Sequence, residues 1–375
     1  MIKELYIDNF KSLVDFRIQL TKFTCLIGLN GSGKSTFLQA IDFISQLAQG
    51  RLDDWLEARE WQPTDLASQL KQSRTILFDV KFQVDGVIYV WDGQVDLETL
   101  TCTKEIITNE MGGTLFKVTN GLYCIGDDAE KNIEFKYQGS ALSAILDSFL
   151  SEELKKIRRF FTSIKSLDLL SPQLMRKRAR KSDDDLGLGG EKLSAFLHNL
   201  SENDSTELIE QIQKQFSTTF KSFETSAKPP GWKKLFVNEK FPESEPIRIE
   251  ATHVSDGLLR LLAILSQLMT SHTMLLFDEI EDGINPELVE TLVDLLVIAN
   301  KQVIITTHSP MILNYIEDER AKESVILTYR NKHGATQQRR FFSIEGIGEK
   351  LESLAAGEAM VDINLSELVE ALAHD

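Results

Sequence analysis

A run of eight residues, Gly28–Ser35, reads GLNGSGKS and has the residue types of a phosphate-binding loop. It follows the pattern G-x-x-x-x-G-K-[ST], in which glycines let successive backbone N–H groups face one phosphate chain. Lys34 is placed to reach the β and γ phosphates of a nucleotide, and the Ser35 hydroxyl is placed to bind Mg²⁺. The residues predicted to bind the nucleotide are Asn30, Gly31, Ser32, Gly33, Lys34, Ser35 and Thr36.

Two carboxylates end an apolar run later in the chain. The segment MLLFDE spans residues 274–279, so a buried strand would end in Asp278 and Glu279. Beside a bound nucleotide, Asp278 would hold Mg²⁺ through water and Glu279 would polarise the attacking water. Apolar strands often end in acidic residues without any catalytic role, but the preceding phosphate-binding loop favours the catalytic interpretation.

A histidine and a Ser-Asp-Gly run complete the candidate chemistry. His308 follows the apolar run 303–307, and its imidazole could hydrogen-bond a γ-phosphate or the attacking water. Ser255 and Gly257 open an apolar helix upstream of the two carboxylates. Because Ser and Asp commonly cap helices, a plain helix cap is the simpler alternative for this run. The free N–H groups of a helix start also form an anion site.

The residues named so far need a parallel sheet to position them. Apolar strands that alternate with helices are typical of an α/β core with such a sheet. The pattern predicts a strand at 23–27, a helix at 34–49, a helix at 258–270, a strand at 274–277, a helix at 287–300 and a strand at 303–307.

The middle of the chain has two different sequence patterns. Apolar or β-branched runs at 76–82, 87–91, 115–118 and 133–137 are separated by Asp-Gly, Gly-Gly and Asn-Gly pairs, which predicts an antiparallel β-subdomain. Residues 141–227 have a helical pattern and predict an inserted helical lobe. The predicted fold class is therefore α/β, a P-loop NTPase with both additions.

These patterns predict that the chain divides into four segments, with a boundary at Pro229-Pro230-Gly231. Residues 1–140 form an ATPase lobe with the P-loop and the antiparallel β-subdomain, and residues 141–230 form the helical insertion. Residues 231–345 form a second ATPase lobe with the Ser-x-Gly helix, the acidic strand and the histidine. Residues 346–375 form an acidic helical tail.

The composition of the 375-residue chain, 42% hydrophobic and 26% charged, is that of a globular protein and excludes disordered and collagen-like classes. The net charge of −16 argues against a protein that coats nucleic acid with its whole surface. Three cysteines without a C-x-x-C pair favour a reducing cytosol, hence a cytoplasmic location. The charged start and the short apolar runs predict neither a signal peptide nor contact with a membrane.

A local excess of positive charge interrupts this acidic chain. Residues 151–181 contain ten Lys or Arg and three acidic residues, a net charge of +7. The densest part consists of Arg176, Lys177, Arg178, Arg180 and Lys181. Three interpretations stay open: a solvated helix face, a salt-sensitive contact with the phosphates of DNA or RNA, and a docking site for an acidic partner. No aromatic residues are interleaved with these cations in a way that predicts base stacking.

The order of P-loop, Ser-x-Gly helix, acidic strand and histidine resembles the ABC-type ATPase heads of the SMC, RecF and OLD group. The opening NFKSL at 9–13, followed by CLIGLNGSGKST at 25–36, is similar to the start of those heads rather than of transporter subunits. The segments LGLGGEKLSAFL at 186–197 and EDGINP at 281–286 are similar to those of OLD-like defence ATPases. The resemblance is strongest to stand-alone OLD-like (AAA15/AAA21-type) subunits of anti-phage systems.

This resemblance implies a homodimer that encloses two ATP molecules with Mg²⁺. Ser255 and Gly257 of one subunit would then meet the γ-phosphate held by Lys34 of the other. Glu279 would be the catalytic base and His308 the γ-phosphate sensor. Asp256 stands where transporters have glycine, and its negative charge would weaken the attraction of the helix start for an anion.

Two residues, Gln62 and Gln69, are candidates for the glutamine that faces Mg²⁺ in such heads. Full OLD proteins carry a C-terminal nuclease domain, whereas 65 residues follow Pro310 here. The leading hypothesis is therefore an ATP-hydrolysing switch that controls a separate effector, a nuclease, in anti-phage defence. The alternatives are a RecF-like DNA-repair ATPase that binds DNA through residues 155–181, and a scaffold that binds ATP without turning it over.

Overall fold

A computed structural model of the chain describes residues 1–180 and 185–374. Within these residues the chain divides into two compact units. Unit 1 comprises Met1–Ser166, Thr273–Leu276 and Asn300–Asp375, and unit 2 comprises Leu167–His272 and Phe277–Ala299. The four segments predicted from the sequence do not follow this division and stay a prediction about functional parts.

Most of the described strands lie in unit 1, and a smaller number lie in unit 2. They are β1 (Ile2–Asp8), β2 (Phe16–Gln19), β3 (Phe23–Ile27), β4 (Thr75–Val84), β5 (Val87–Asp96), β6 (Thr101–Asn109), β7 (Thr114–Thr119), β8 (Leu122–Ile125), β9 (Lys131–Asn132), β10 (Ile164–Leu167), β11 (Phe220–Lys228), β12 (Trp232–Glu239), β13 (Ile247–Glu250), β14 (Met274–Phe277), β15 (Gln302–Thr306), β16 (Val325–Arg330) and β17 (Thr336–Arg340).

Helices flank these strands along the whole chain. They are α1 (Lys34–Gln49), α2 (Leu52–Ala58), α3 (Glu152–Thr162), α4 (Pro172–Met175), α5 (Leu193–Asn199), α6 (Glu202–Gln215), α7 (Asp256–Leu268), α8 (Pro286–Ile298), α9 (Pro310–Asn314), α10 (Asp318–Ser324), α11 (Ala356–Val361) and α12 (Leu365–His374). Among the described residues, none of these helices has the length and apolar character needed to cross a membrane.

An antiparallel sheet in unit 1 confirms the predicted β-subdomain. Its strand order is β2-β1-β4-β5-β6-β7-β8-β9. The β4–β5 hairpin turns at Asp85 and Gly86, whose φ angles of 49° and 87° are those of the tight hairpin turn that Asp-Gly favours. Alternate β4 side chains, such as Phe78 and Phe82, are buried, because one face of the sheet packs on the core. Phe161 of α3 packs edge-on against Phe82 at 4.7 Å.

The predicted strand at 133–137 is wrong. In this segment the two-residue strand β9 pairs with β8, and the five residues that follow, 133–137, have no regular structure. The ring of Phe135 lies 5.8 Å from that of Tyr123 and 6.0 Å from that of Tyr137. The Tyr137 hydroxyl donates a hydrogen bond to the Cys102 carbonyl at 2.9 Å. The alternation of aromatic residues therefore reflects packing of an irregular segment rather than strand pairing.

A second sheet confirms the predicted α/β core. Its strand order is β10-β14-β15-β3-β16-β17, and β3 lies between two parallel neighbours, β15 and β16. All five residues of β3 are buried, as expected for a strand covered on both faces. The predicted helices and strands on either side of the acidic motif correspond to α7, β14, α8 and β15, with ends shifted by one or two residues.

Unit 2 contains an antiparallel sheet of β11, β12 and β13, packed against α5 and α6. Nearly all of β11 lies within residues 141–227, where the sequence predicted helix. β10, which belongs to the second sheet, lies in the same range. β11 pairs with β12 from Phe220 to Lys228, and Phe220 and Phe223 are buried. A partner strand that lies further along the chain thus outweighs the local helical pattern.

A carboxylate lies in the core of unit 1. Glu105 on β6 is 2% exposed and accepts hydrogen bonds from the Ser140 hydroxyl at 2.7 Å, the Ala141 amide at 2.7 Å and the Trp91 indole at 3.2 Å. Burial raises the pKa of Glu105 to about 7, even though these three bonds favour the ionised form. Because the folded chain then holds this proton more tightly than the unfolded chain, stability should fall as the pH rises.

We expect the free energy of unfolding to drop by about 2 kcal/mol between pH 5 and pH 8 through this group, since its pKa is near 4.3 when unfolded and about 7 when folded. Urea unfolding at several pH values should show this slope in the wild type and lose it in Glu105→Gln. The exposed residue Glu110 provides the control, because Glu110→Gln should keep the wild-type slope. Parallel pH curves for wild type and Glu105→Gln would contradict the assignment.

Candidate nucleotide site

The P-loop connects β3 to α1 in unit 1. Its glycines adopt left-handed φ values, 75° at Gly31 and 109° at Gly33, which non-glycine residues rarely adopt. Helix α1 begins at Lys34, and among the described residues no side chain caps its first turn. The N–H groups of that turn are thus available to an anion, as a phosphate site requires.

The loop lies directly on the β16–β17 hairpin. A Cβ atom at Gly28 would lie 2.3 Å from the Thr328 carbonyl oxygen, and one at Gly33 would lie 2.2 Å from the Thr336 hydroxyl. A Cβ at Gly31 would meet no atom within 4 Å. The loop is therefore closely packed on one side and open at Gly31, an arrangement that fits a phosphate chain.

Side chains of this hairpin also hold the loop by hydrogen bonds. The Ser32 and Thr328 hydroxyls are 2.7 Å apart, and the Thr336 hydroxyl donates to the Ser32 carbonyl at 3.1 Å. The Arg330 Nε donates to the Gly31 carbonyl at 2.8 Å. Because the partners are about 300 positions apart in the chain, sequence reasoning missed Thr328, Arg330 and Thr336. They hold the loop in shape before any ligand arrives.

Lys34 is 5% exposed and bends back over the loop. Its ammonium donates to the carbonyl of Gly28 at 2.9 Å and to that of Leu29 at 3.3 Å. A buried ammonium is costly unless it is hydrogen-bonded, and here the loop supplies such bonds. The positive charge is consequently held at the loop, where it would attract a phosphate.

A cavity of about 360 Å³ adjoins the loop in unit 1, with Lys11, Thr36, Gln69 and Arg330 in its wall. Of the two predicted glutamines, Gln69 thus lies beside the P-loop helix. Gln62 instead precedes a short 3₁₀ helix, and its backbone N–H donates a hydrogen bond to the Asp65 carboxylate at 2.7 Å.

His308 leaves the sheet at the same edge as the P-loop. β15 runs parallel to β3 with Thr306 opposite Leu26, and the Thr307 amide donates to the Leu26 carbonyl at 3.1 Å. His308 is exposed at the end of this strand. Unit 1 therefore brings together the predicted P-loop residues and the predicted histidine.

The two predicted carboxylates belong to unit 2. Asp278 and Glu279 directly follow β14, as predicted, and both are partly buried. Glu279 has a φ of 47°, a left-handed conformation that is rare for a residue with a side chain and costs free energy. Nothing in the sequence indicates this strain. Strain of this kind occurs often at functional sites, which is consistent with a catalytic role for Glu279.

Ser255 and Gly257 lie at the start of α7, also in unit 2. The Ser255 hydroxyl accepts a hydrogen bond from the Leu258 amide at 3.4 Å, so Ser255 does cap the helix. A Cβ at Gly257 would lie 2.6 Å from the Gly283 carbonyl oxygen, so glycine is needed where the helix meets the segment after Glu279. The cap interpretation is thus correct, and it leaves the exposed helix start open to an anion.

Arg176, from the basic stretch, contacts this same helix start. Its guanidinium donates to the Val254 carbonyl at 2.7 Å and to the Asp256 carboxylate at 2.5 Å. The negative charge of Asp256 is therefore compensated within unit 2. The weakened attraction for an anion that the sequence suggested is offset by a residue 80 positions away.

The basic stretch divides between the two units. On α3 in unit 1, the ammonium of Lys155 contacts Glu152 and that of Lys156 contacts Asp85, each at 2.6 Å. In unit 2, Lys177, Arg178 and Arg180 are exposed. Lys181 lies outside the described residues. The +7 charge is thus not one continuous surface within a single unit.

A profile of the family described as "AAA domain, putative AbiEii toxin, Type IV TA system" matches residues 23–314, well over half of the chain. The chain belongs to this family. Its fold is that of the ABC-type P-loop ATPase heads of SMC proteins, as its order of motifs predicts. No curated protein sequence matches the chain.

Several solved structures resemble this ATPase head. An Smc head bound to the C-terminal winged-helix domain of ScpA is 17% identical with a TM-score of 0.54, over 90% of this chain and 96% of that one. The SMC head domain from Thermotoga maritima is 15% identical with a TM-score of 0.48, over 90% and 98%. An Smc head with an extended coiled coil, bound to the C-terminal domain of ScpA and derived from Pyrococcus furiosus, is 15% identical with a TM-score of 0.48, over 100% and 99%. The first of these shows the shared fold.

We expect Arg330→Met to weaken nucleotide binding by about tenfold, because the P-loop then loses a charge-assisted hydrogen bond to Gly31. Titration with a fluorescent ATP analogue measures this affinity. The matched control is Arg339→Met on β17, because Arg339 is exposed and should leave the affinity unchanged. Wild-type affinity in Arg330→Met would show that the loop keeps its shape without this bond.

If the start of α7 meets a γ-phosphate as the sequence predicts, we expect Arg176→Met to lower ATP turnover by about fivefold, since an uncompensated Asp256 would repel that anion. The double variant Arg176→Met/Asp256→Asn should recover most of the turnover, because it removes the exposed negative charge as well. Recovery would separate an electrostatic effect from damage to the fold. Equal loss in the single and the double variant would argue against the electrostatic role of this pair.

Proposed function

We propose that this ATPase head is an ATP-hydrolysing switch subunit that dimerises around ATP and controls a separate effector, a nuclease, in anti-phage defence. The observation that carries the ATP-binding part is the P-loop, whose shape is held by Thr328, Arg330 and Thr336 and whose open side lies at Gly31. A loop prepared in this way binds a phosphate chain at little cost in conformational entropy.

Each predicted residue then has a distinct task. Lys34 and the first N–H groups of α1 bind the β and γ phosphates, with contacts from the loop residues Asn30 to Gly33 and from Thr36. Ser35 and Asp278 are the residues that would hold Mg²⁺, which neutralises phosphate charge when it is bound. Glu279 orients and deprotonates the attacking water, and His308 hydrogen-bonds the γ-phosphate.

The dimer is proposed to complete the site. The start of α7, with Ser255 and Gly257, would approach the γ-phosphate bound by the other subunit. This arrangement is supported by the exposed position of Ser255 and by Arg176, which compensates the negative charge of Asp256. ATP would thus be enclosed only when two copies meet, and hydrolysis would release them.

The effector and the cellular location belong to the same proposal. The resemblance to stand-alone OLD-like subunits supports a separate nuclease, and the Smc head of similar fold that is bound to ScpA supports a partner protein in general. We propose a cytoplasmic location because the cysteines, including the buried Cys25 and Cys102, form no disulfide.

We expect Glu279→Gln to bind ATP but not to hydrolyse it, so that the ATP-bound dimer accumulates. Light scattering with ATP and Mg²⁺ should then give twice the monomer mass of 42.5 kDa. Lys34→Ala should remain a monomer, because it loses its contact with the phosphates. The control Glu290→Gln on α8 changes an exposed carboxylate of the same unit and should hydrolyse ATP like the wild type.

The same two variants test the effector. Tagged Glu279→Gln and Lys34→Ala, purified from the native host in parallel, would represent the ATP-bound and the ATP-free forms. A nuclease recovered in stoichiometric amount with one form and not with the other would support the switch. Monomeric mass in Glu279→Gln with ATP would contradict the dimer, and equal turnover in wild type and Glu279→Gln would contradict the role of Glu279.

A further inference from the structure

A second cavity, of about 530 Å³, lies within unit 2 and is not used by the nucleotide site. Half of the residues in its wall are cationic or aromatic, namely Arg176, Lys177, Arg178, Trp232 and Lys234, and the wall also includes the carboxylate of Glu250. Its size lies in the range of small-molecule and nucleotide pockets. The cavity joins the densest part of the basic stretch to β12, two segments about 55 residues apart in the sequence.

Only some of these cations are engaged by the chain itself. Arg176 is paired with Asp256, and Lys234 contacts Glu250 at 2.7 Å. Lys177 and Arg178 are exposed, and within residues 1–180 and 185–374 neither has a carboxylate partner. Their positive charges are therefore directed at solvent, which is the state expected of residues that contact phosphates.

Trp232 gives the cavity an aromatic wall that the sequence pattern did not reveal. It is 36% exposed, whereas Trp55 and Trp91 are buried. The Arg178 guanidinium lies 5.5 Å from the centre of its ring, within the range of a cation–π contact. The guanidinium is thus held by the ring and keeps its hydrogen-bond donors.

The backbone brings this pair together. The Ala179 amide donates to the Lys233 carbonyl at 3.2 Å, and the Lys233 amide donates to the Ala179 carbonyl at 2.7 Å. The bridge is antiparallel, so Arg178 lies opposite Lys234 and Trp232 is its diagonal neighbour across the two segments, within reach of a long side chain. Ala179 is also held by the Ser194 hydroxyl, which accepts from its amide at 3.0 Å. The Arg178–Trp232 pair is consequently built into the fold.

We propose that this cavity binds single-stranded nucleic acid, with one base stacked against the Trp232–Arg178 pair and the adjoining phosphates contacted by Lys177, Arg178 and Arg180. Unpaired bases offer the flat faces that aromatic rings and guanidinium groups bind, whereas the bases of a duplex are stacked on one another. The inference names a ligand class for unit 2 and does not rest on ATP hydrolysis.

Fluorescence anisotropy with a labelled oligothymidine of about 20 nucleotides, in the absence of ATP, tests this site. We expect Trp232→Ala to weaken binding by tenfold or more, because base–aromatic stacking contributes about 1–3 kcal/mol. Trp232→Phe should retain most of the affinity, since it keeps an aromatic face. The control Phe241→Ala removes an exposed aromatic residue of the same unit that does not line the cavity.

A second pair of variants tests the contribution of the cationic side chains to binding. Arg178→Ala should weaken binding, whereas Arg248→Ala, which removes an arginine that lies over Phe236 in the same unit, should not.

A duplex of the same length should bind at least tenfold more weakly than the single strand. Unchanged affinity in Trp232→Ala, equal affinity for duplex and single strand, or no binding by the wild type would each overturn the proposal. ATP turnover in Trp232→Phe reports on the proposed function separately.

Discussion

The close contact between the P-loop and the β16–β17 hairpin is the constraint on which the nucleotide site depends. Gly28 and Gly33 lie so near Thr328 and Thr336 that no side chain fits between them. The hydroxyls of these threonines and the Arg330 guanidinium then hydrogen-bond the loop. Because β16 pairs with β3, the strand that precedes the loop, one sheet fixes both the start of the loop and its underlying support. The site is thus formed before a nucleotide binds.

Charge compensation organises the start of α7 in unit 2. Asp256 would make the start of α7 unfavourable for an anion, but Arg176 contacts both Asp256 and the Val254 carbonyl just before the helix. The arginine that the sequence suggested as a nucleic-acid contact therefore has a structural task. Its neighbours Lys177 and Arg178 remain exposed beside Trp232. One basic run thus contains a cation that is paired within unit 2 and two exposed cations beside Trp232.

Much of the fold and the motif positions could be predicted, because they depend on local patterns. The P-loop spacing, the Asp-Gly hairpin at Asp85 and the apolar strand before Asp278 each depend on a few consecutive residues. The incorrect strand at 133–137 and the unexpected strands β10 and β11 have the opposite cause. Whether an apolar segment forms a strand is decided by the partner it finds, and that partner is set by the tertiary fold.

The sequence by itself determined the chemistry that this ATPase head carries: a phosphate loop with Lys34 and Ser35, two carboxylates after a strand, and a histidine after the next one. The tertiary structure alone decided which distant residues support that chemistry. Thr328 and Arg330 reach the loop across about 300 positions, Arg176 reaches Asp256 across 80, and Glu279 takes a strained φ of 47°. Residue type and short spacing are encoded locally, whereas hydrogen bonds across the sheet and backbone strain exist only once the chain has folded.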